Sequence, residues 1–227
     1  MKKIDFHSHI LPGADHGSDS VETSLFQVRS AISAGIDTIV ATPHFYPHRH
    51  QVSSFVERRD AAYAALSEAL TENGINIDIR IGAEVLICGG MERLPDLDKL
   101  CIEGTKVLLI ELPFSDFRTA YYETVEELIY LGYTVVLAHC DRYDADIIEN
   151  MISRGALVQL NAAPLAKLIV SRHLRDWIAD GLVVALGSDI HEKDANAYHR
   201  FNKAEKRLGT QLESVMKKSE KLIEKGV

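Results

Sequence analysis

Two histidines two residues apart are the part of this sequence with the clearest chemical potential. His7 and His9 lie in a short run in which Ile4 and Phe6 indicate a buried strand. Side chains alternate between the two faces of a strand, so both imidazoles project to the same side. Neutral imidazole binds zinc, iron and manganese, so a pair converging at a strand end can hold a divalent metal. The alternative is two partly exposed polar residues that bind nothing.

The same arrangement returns at the ends of the other apolar runs. Residues of metal-binding type follow these runs directly: His44, Glu84, Glu111, His139, Asp189 and His191. Any one of them could cap a helix or form a hydrogen bond in a loop. Eight such residues at six strand ends instead predict a metal site. A barrel would bring them to one rim, where clustered carboxylates repel unless cations neutralise them.

The number of these residues also bears on the chemistry. A single zinc ion takes three or four protein ligands, so the set is too large for one metal. It predicts two or three metals, with a carboxylate such as Glu111 as a bridge. Clustered metals clamp the attacking and leaving oxygens of phosphoryl transfer and activate a water molecule as the nucleophile.

Apolar runs of strand length alternate with helical patterns along the chain. After the first strand near Ile4, further strands are predicted at 36–42, 77–83, 107–112, 134–138, 157–161 and 183–187. Helices are predicted at 20–34, 54–73, 119–131, 145–154, 167–180, 196–208 and 211–225. Seven strands alternating with helices are typical of βα units around a parallel sheet. The repetition favours a barrel, complete or not, over an open doubly wound sheet, with the chemistry at the carboxyl ends of the strands.

Composition narrows the function classes. The chain has 227 residues and a formal charge of −8, which fits one domain over 1–227 and disfavours non-specific binding of nucleic acid. It has no apolar run long enough for a membrane span and no signal-peptide pattern, so a cytoplasmic location is expected. The three cysteines, Cys88, Cys101 and Cys140, are an odd number without close pairs, which argues against a disulfide framework. None of them begins the C-x5-R loop of thiol phosphatases.

Several motifs together resemble one known superfamily. They are HSH (7–9), TPH (42–44), GAE (82–84), IELP (110–113), AHCDRY (138–143) and SDIH (188–191). In order and spacing they resemble the PHP (polymerase and histidinol phosphatase) superfamily, and within it the bacterial manganese-dependent protein-tyrosine phosphatases of capsule and exopolysaccharide operons. The resemblance spans nearly the whole chain. It implies an α/β fold, a distorted seven-stranded (β/α) TIM-like barrel of PHP type, with three divalent metal ions, manganese first and iron or zinc as alternatives.

The resemblance also implies a ligand set. It carries over to His7, His9, His16, His44, Glu84, Glu111, His139, Asp189 and His191. One position departs from the family pattern, which commonly has two acidic residues before a glycine in the first loop. Here the loop reads Ala14-Asp15-His16-Gly17, so histidine stands at the ligand position. The alternative is that Asp15 serves as the ligand instead.

Arg142 matches the family's phosphate-binding arginine, and a guanidinium fork suits phosphate oxygens. The alternative is a surface arginine paired with Asp141 or Asp144. Asp141 is also our candidate for the general acid. A second arginine of some relatives is replaced here by Asn196, with Arg200 nearby.

Four other histidines and one arginine are assigned no role in the metal site. The segment His48, Arg49 and His50 could line the cleft, although a solvated basic loop is the simpler interpretation. His173 and His199 are expected to be ordinary histidines.

The resulting hypothesis is a metal-dependent protein-tyrosine phosphatase. By the resemblance, its substrate is the phosphotyrosine-rich tail of a bacterial tyrosine kinase that controls polysaccharide export. The alternatives are a phosphatase for histidinol phosphate or another small phosphomonoester, and a non-catalytic metal-binding scaffold. The sequence leaves the oligomeric state open, homo-oligomers included.

Overall fold

Nine parallel strand segments build the sheet wall in the computed structural model, which describes residues 2–224. They are β1 Ile4–Ser8, β2 Thr38–Ala41, β3 His44–Phe45, β4 Asp78–Ile81, β5 Glu84–Leu86, β6 Val107–Glu111, β7 Thr134–Leu137, β8 Leu157–Asn161 and β9 Val183–Gly187. Their hydrogen-bonded orders are β1-β2-β4 and β3-β5-β6-β7-β8-β9.

The two sheets are parts of one seven-stranded wall. Segments β2 and β3 are two halves of the predicted second strand, interrupted at Thr42 and Pro43, and β4 and β5 are two halves of the third, interrupted at Gly82 and Ala83. Each half pairs with the matching half of its neighbour, β2 with β4 and β3 with β5. Proline cannot donate a hydrogen bond to a ladder, which accounts for the first interruption.

The wall closes where the end of β9 meets the end of β1. The backbone N–H of Asp189 donates to the carbonyl of His7 at 2.8 Å, and the N–H of His9 donates to the carbonyl of Ile190 at 3.3 Å. Gly187 permits this approach, because a Cβ at that position would lie 2.6 Å from the Cβ of His7. The fold is therefore a distorted (β/α) barrel, as the sequence predicts.

Within residues 2–224, eight helices accompany the strands. They are α1 Val21–Ser33, α2 Val52–Glu72, α3 Ala120–Tyr130, α4 Ala145–Ile152, α5 Ala162–Leu165, α6 Arg172–Ala179, α7 Ala197–Leu208 and α8 Leu212–Ile223. Short 3-10 turns occupy Met91–Arg93, Leu97–Leu100, Cys140–Arg142 and Gly209–Gln211. Six of the predicted helices match within two residues at each described end. Residue 225 of the last predicted helix lies outside the described residues.

The predicted helix over 167–180 is wrong in its first half. A short helix, α5, begins directly after β8, and the chain then leaves helical geometry before α6 begins at Arg172. Ser171 has an extended backbone, with φ −57° and ψ 154°, so the second helix cannot begin earlier. Pro164 fits in the first turn of α5, where a missing N–H breaks no helical hydrogen bond.

Burial follows the strand pattern. All residues of β1, β2, β6 and β9 are buried, and their apolar side chains belong to one hydrophobic core that also receives the inner faces of the helices. Parallel strands covered on both faces are expected to be apolar throughout. The buried polar residues in these strands are therefore exceptions that need a partner or a ligand. Within residues 2–224, no helix has the length and apolar character needed to cross a membrane.

Candidate metal centre

The predicted ligands gather at the carboxyl ends of the strands. His7 lies in β1 and His9 just beyond it, His44 and Glu84 begin β3 and β5, and Glu111 ends β6. His139 and Asp189 each follow a strand by two residues, β7 and β9. Most of these polar side chains are buried, with His7, His9 and Glu84 at 0% exposure.

Glu84 lies at the centre of the cluster. Its Oε2 atom is 2.9 Å from Nδ1 of His44, 3.2 Å from Nε2 of His7 and 3.3 Å from Nε2 of His9. Its Oε1 atom is 2.7 Å from Nε2 of His139. One carboxylate therefore faces the rings of four histidines that come from three different strand ends, because His7 and His9 share the end of β1.

In three of these rings, the nitrogen that does not face Glu84 lies next to a hydrogen-bond acceptor and therefore acts as a donor. Nδ1 of His9 lies 2.7 Å from the Asp15 carboxylate. Nδ1 of His7 lies 3.2 Å from Oε1 of Gln159, an oxygen that also accepts a backbone N–H. Nδ1 of His139 lies 3.2 Å from the Tyr143 hydroxyl, whose own proton goes to the carbonyl of Leu112.

In their neutral forms these three rings therefore point an unprotonated Nε2 into the cluster. Two such nitrogens, those of His7 and His9, lie 3.1 Å apart. Oε2 of Glu84 and Nδ1 of His44 are buried; although they lie 2.9 Å apart, their relative orientation is not that of a hydrogen bond, and neither has another partner among the described residues. Buried polar atoms are normally hydrogen-bonded, and lone pairs that face one another need a cation between them. The residues present thus fit divalent metal ions, and the outer acceptors fix the rings as metal-binding histidines require.

The ligand atoms form overlapping groups of a size suited to metal ions. Three sets have their ligand atoms within 4.8 Å of one another: His9, His44 and His191; His7, His9 and Glu84; and His44, Glu84 and Glu111. Because His9, His44 and Glu84 are shared between sets, the arrangement fits more than one metal.

The pKa values of the cluster reveal a shortage of positive charge. Burial alone would lower the pKa of His9, but Asp15, Asp189 and Glu84 together raise it well above its usual value. Burial raises the pKa of Glu111 to about 7, and the charge of Glu84 adds to this rise. Without a cation, the cluster must take up protons to balance its carboxylates. Bound metal ions would supply that charge instead.

Asp189 joins the cluster of predicted ligands to the neighbouring polar groups. Its Oδ1 lies 3.4 Å from Nε2 of His9, and its Oδ2 accepts hydrogen bonds from Asn161, at 2.9 Å, and from Arg142. Burial alone would raise its pKa, but the hydrogen bond from His9 and the nearby positive charges hold it well below the usual value. Asp189 and His139 both have positive φ angles, 51° and 34°. Such backbone strain in non-glycine residues is common where function fixes a side chain.

His191 and His16 complete the ring of predicted ligands. The His191 ring lies 4.1 Å from that of His9 between centroids. The exposed His16 ring stacks on His44 at 4.9 Å, with 7° between the planes, and lies 4.8 Å from His191. All nine predicted ligand residues are thus grouped on one rim, and the ligand role of each remains a prediction.

Asp15 and His16 have different surroundings. One oxygen of Asp15 accepts the backbone N–H of Gly17 at 2.8 Å, and the other contacts His9 and accepts the N–H of His44 at 2.9 Å. Gly17 lets this loop lie against His9, because a Cβ there would be 2.0 Å from that of His9. With its oxygens engaged, Asp15 orients His9, which leaves His16 as the better candidate ligand.

We therefore predict that His16→Ala lowers the metal content and reduces kcat by at least about tenfold. His16→Asp should keep the metal and move the acid limit of activity to lower pH. A ligand must lose its proton to bind a metal, and a carboxylic acid does so at lower pH than an imidazolium ion. Metal content by mass spectrometry and pH–rate profiles test both variants. His199→Ala, an exposed histidine outside the cleft, is the matched control. Unchanged metal content and pH profile in His16→Ala would show that His16 is not a ligand.

The two residues predicted to act on the substrate have different positions. Arg142 is exposed and pairs with Asp189, rather than with Asp141 or Asp144. Asp141 instead accepts the backbone N–H of Asn161 at 2.7 Å, and burial raises its pKa. Its position supports the end of β8, and its role as general acid stays a prediction.

The remaining basic residues lie at the edge of the site or away from it. The guanidinium of Arg49 lies 5.7 Å from the Tyr46 ring centroid, and Nδ1 of His50 accepts the N–H of Tyr46 at 3.2 Å. Arg200 pairs with Asp194, and the ring of His173 packs near Trp177.

Sequence reasoning missed the residues that support the ligands. Gln159 accepts the N–H of His139 at 2.6 Å and donates to Asn161 at 3.0 Å, so it links His7, His139 and Asp189. Asp5 is fully buried and accepts the N–H of Ser188 at 2.8 Å, which fixes the loop that carries Asp189. Both residues were detectable as polar side chains with an apolar residue on each side, Asp5 between Ile4 and Phe6 and Gln159 between Val158 and Leu160.

An open cleft of about 490 Å³ lies over the cluster of predicted ligands. Its lining includes His16, His44, Tyr46, Glu111, Phe114, Arg142, Asp189 and His191. A polar substrate group entering this cleft would meet predicted metal ligands and an arginine together.

The sequence of this chain is similar to one described protein family and to several characterised relatives. Residues 3–223 match the family of capsular polysaccharide synthesis proteins CpsB/CapC. The tyrosine-protein phosphatase YwqE of Bacillus subtilis is 29% identical, over 97% of this chain and 91% of that protein. The tyrosine-protein phosphatase CpsB of Streptococcus pneumoniae is 26% identical, over 85% of this chain and 84% of that protein.

Solved structures agree with the sequence matches. A structure described with YwqE of Bacillus subtilis and CpsB of Streptococcus pneumoniae, as metal-dependent tyrosine phosphatases, superposes with a TM-score of 0.83 at 25% identity, over 97% of this chain and 94% of that chain. The histidinol phosphate phosphatase of Lactococcus lactis superposes with a TM-score of 0.54 at 14% identity, over 92% and 94% of the two chains. The second likeness concerns the fold alone.

Proposed function

Because this chain belongs to the CpsB/CapC family of capsular polysaccharide synthesis proteins, we propose that it is a metal-dependent protein-tyrosine phosphatase. One observation carries the proposal. Four histidine rings converge on the buried carboxylate of Glu84, beneath an open cleft that also presents Arg142. This arrangement combines candidate metal ligands with a guanidinium suited to phosphate oxygens, and both can take part in metal-assisted hydrolysis of a phosphate ester.

The proposed cofactors are three divalent ions, with manganese first and iron or zinc as alternatives. The mixed imidazole and carboxylate set suits all three elements. The residues that would hold them are His7, His9, His16, His44, Glu84, Glu111, His139, Asp189 and His191. When bound, such ions neutralise phosphate charge and lower the pKa of water to make a nucleophile.

The chain's own residues would orient the substrate. Arg142 pairs with Asp189, and with five N–H donors in its guanidinium it retains donors for phosphate oxygens. Asp189 thereby holds the guanidinium at the rim that carries the candidate metal ligands, where it can contact a substrate phosphate. We assign Arg142 the binding of phosphate and leave Asp141 as the candidate acid.

No cysteine in this chain is suited to act as the nucleophile. Burial raises the pKa of Cys88, raises that of Cys101 to about 12 and raises that of Cys140 well above its usual value. Reactive cysteines need the opposite shift, since the thiolate is the nucleophile. We predict that replacing all three by alanine changes kcat by less than about tenfold, or ~1.4 kcal/mol in the barrier. A complete loss of activity in a variant that still folds, judged by circular dichroism, would point to a thiol mechanism.

A comparison of substrates tests the proposed function. With manganese present, purified protein should hydrolyse a phosphotyrosine peptide with a much higher kcat/KM than histidinol phosphate. The opposite preference would support the alternative of a small phosphomonoesterase. Metal binding without hydrolysis of either compound would support the non-catalytic scaffold.

The finer parts of the proposal concern the cellular setting. The proposed substrate is a phosphotyrosine-containing protein, in particular the tail of a bacterial tyrosine kinase that regulates capsule or exopolysaccharide synthesis. A cytoplasmic location fits the three free thiols, because disulfides are rare in that compartment. Dephosphorylation of such a kinase in cells, lost on deletion of this protein, is the expected outcome.

A further inference from the structure

Phe114 is an aromatic side chain with an unusual degree of exposure. The chain has seven phenylalanines, all among residues 2–224, and of these only Phe114 is exposed, with 67% of its surface accessible. Large apolar side chains normally gain stability from burial. An exposed ring at the mouth of a functional cleft therefore suggests a binding role.

Neighbouring rings hold Phe114 in place on its inner side. Its ring is nearly parallel to that of His139, with 14° between the planes and 6.1 Å between centroids. The ring of Tyr143 lies 5.8 Å away at 26°. Tyr143 in turn donates a hydrogen bond to the carbonyl of Leu112, two residues before Phe114. These contacts fix one side of the ring and leave the exposed side toward the cleft that Phe114 lines.

Arg142 connects this ring to the phosphate-binding region. Its guanidinium carbon lies 6.0 Å from the Phe114 ring centroid, and its Nη2 atom pairs with Asp189. A phosphate ester bound at Arg142 would therefore present its organic group beside Phe114. The cleft lining also includes Tyr46, whose ring stacks on that of His44 with 5.4 Å between centroids.

We propose that Phe114 is the specificity-determining residue for the aryl group of the substrate. This inference rests on the proposed phosphatase function and deepens it. An aryl phosphate carries a flat ring that can stack on Phe114 while its phosphate contacts Arg142, and offset aromatic pairs are favourable at centroid distances of about 4.5–7 Å. An alkyl phosphate gains no such contact. Phe114 therefore distinguishes phosphotyrosine from aliphatic phosphate esters.

Binding of two phosphonates to the manganese-loaded protein separates this contact from catalysis. Phenylphosphonate carries an aryl ring, methylphosphonate does not, and neither has a P–O ester bond to the group that it carries. Isothermal titration calorimetry should show that Phe114→Ala raises the Kd of phenylphosphonate by about tenfold and that of methylphosphonate by less than about twofold. Phe114→Trp should restore most of the preference, because it restores a π face.

Phe117→Ala is the matched control. Phe117 lies three residues further along, packs against Tyr121 and Tyr122, and is not among the residues that line the cleft. The Phe117→Ala variant should leave the ratio of the affinities for the two phosphonates unchanged. Equal weakening of both phosphonates by Phe114→Ala, or no weakening of either, would overturn the aryl-binding role. Failure of the unmodified protein to hydrolyse phosphotyrosine would instead overturn the proposed function, so the two failures are distinguishable.

Discussion

Removal of divalent metal by excess chelator should abolish phosphatase activity, and added manganese should restore it. We expect a loss of at least about a thousandfold, or ~4 kcal/mol in the barrier. The reason is the composition of the cluster: Nε2 atoms of His7 and His9 lie 3.1 Å apart beside a buried carboxylate. Arg142 is the cationic side chain at the cleft, and one guanidinium cannot replace ions that both neutralise phosphate and activate water.

Metal removal should also lower thermal stability. A ligand that binds only the folded state stabilises it in proportion to the logarithm of its free concentration over its Kd. Tm measured by calorimetry should therefore rise with manganese and fall with chelator. Chelator saturated beforehand with manganese is the control for direct effects of the chelator. Full activity in metal-free protein, verified by mass spectrometry, would refute the metal mechanism.

The sequence predicts the rim of the barrel well because strand geometry is local. His7, His44, Glu84 and Glu111 stand at or next to the ends of apolar runs, and parallel strands place such positions together whatever the details of the loops. The family resemblance adds His16 to this set. The structure then supplies what spacing could not: which atom of each residue faces its neighbours.

The residues that support the ligands were harder to predict, because their partners are distant in sequence. Gln159 binds His7 across 152 positions, and Asp5 binds Ser188 across 183. The same limit explains the break between α5 and α6. The helical pattern over 167–180 is a local signal, whereas the actual start at Arg172 depends on the extended backbone at Ser171. Tertiary context overrides propensity in such cases.

The exchange of Glu84 for glutamine should be the most damaging single substitution at the site. Glu84→Gln keeps nearly the same volume but removes the negative charge that faces His7, His9, His44 and His139. The histidines hold the pKa of Glu84 well below its usual value against the effect of burial, so the group is ionised at neutral pH. An amide also turns an N–H2 donor toward atoms that must bind cations.

We expect Glu84→Gln to lose metal content and to reduce kcat by about a thousandfold or more, while the protein remains folded. The new amide can donate to a histidine lone pair that would otherwise be unpaired, so the loss should be in metal binding rather than in folding. Metal analysis, phosphotyrosine hydrolysis and circular dichroism measure the three quantities separately. Glu127→Gln makes the same chemical change on the exposed face of α3 and should leave all three unaltered. If Glu84→Gln retained its metal and its activity, the central carboxylate would not be a ligand, and the cluster would have to bind its ions through the remaining residues of the rim.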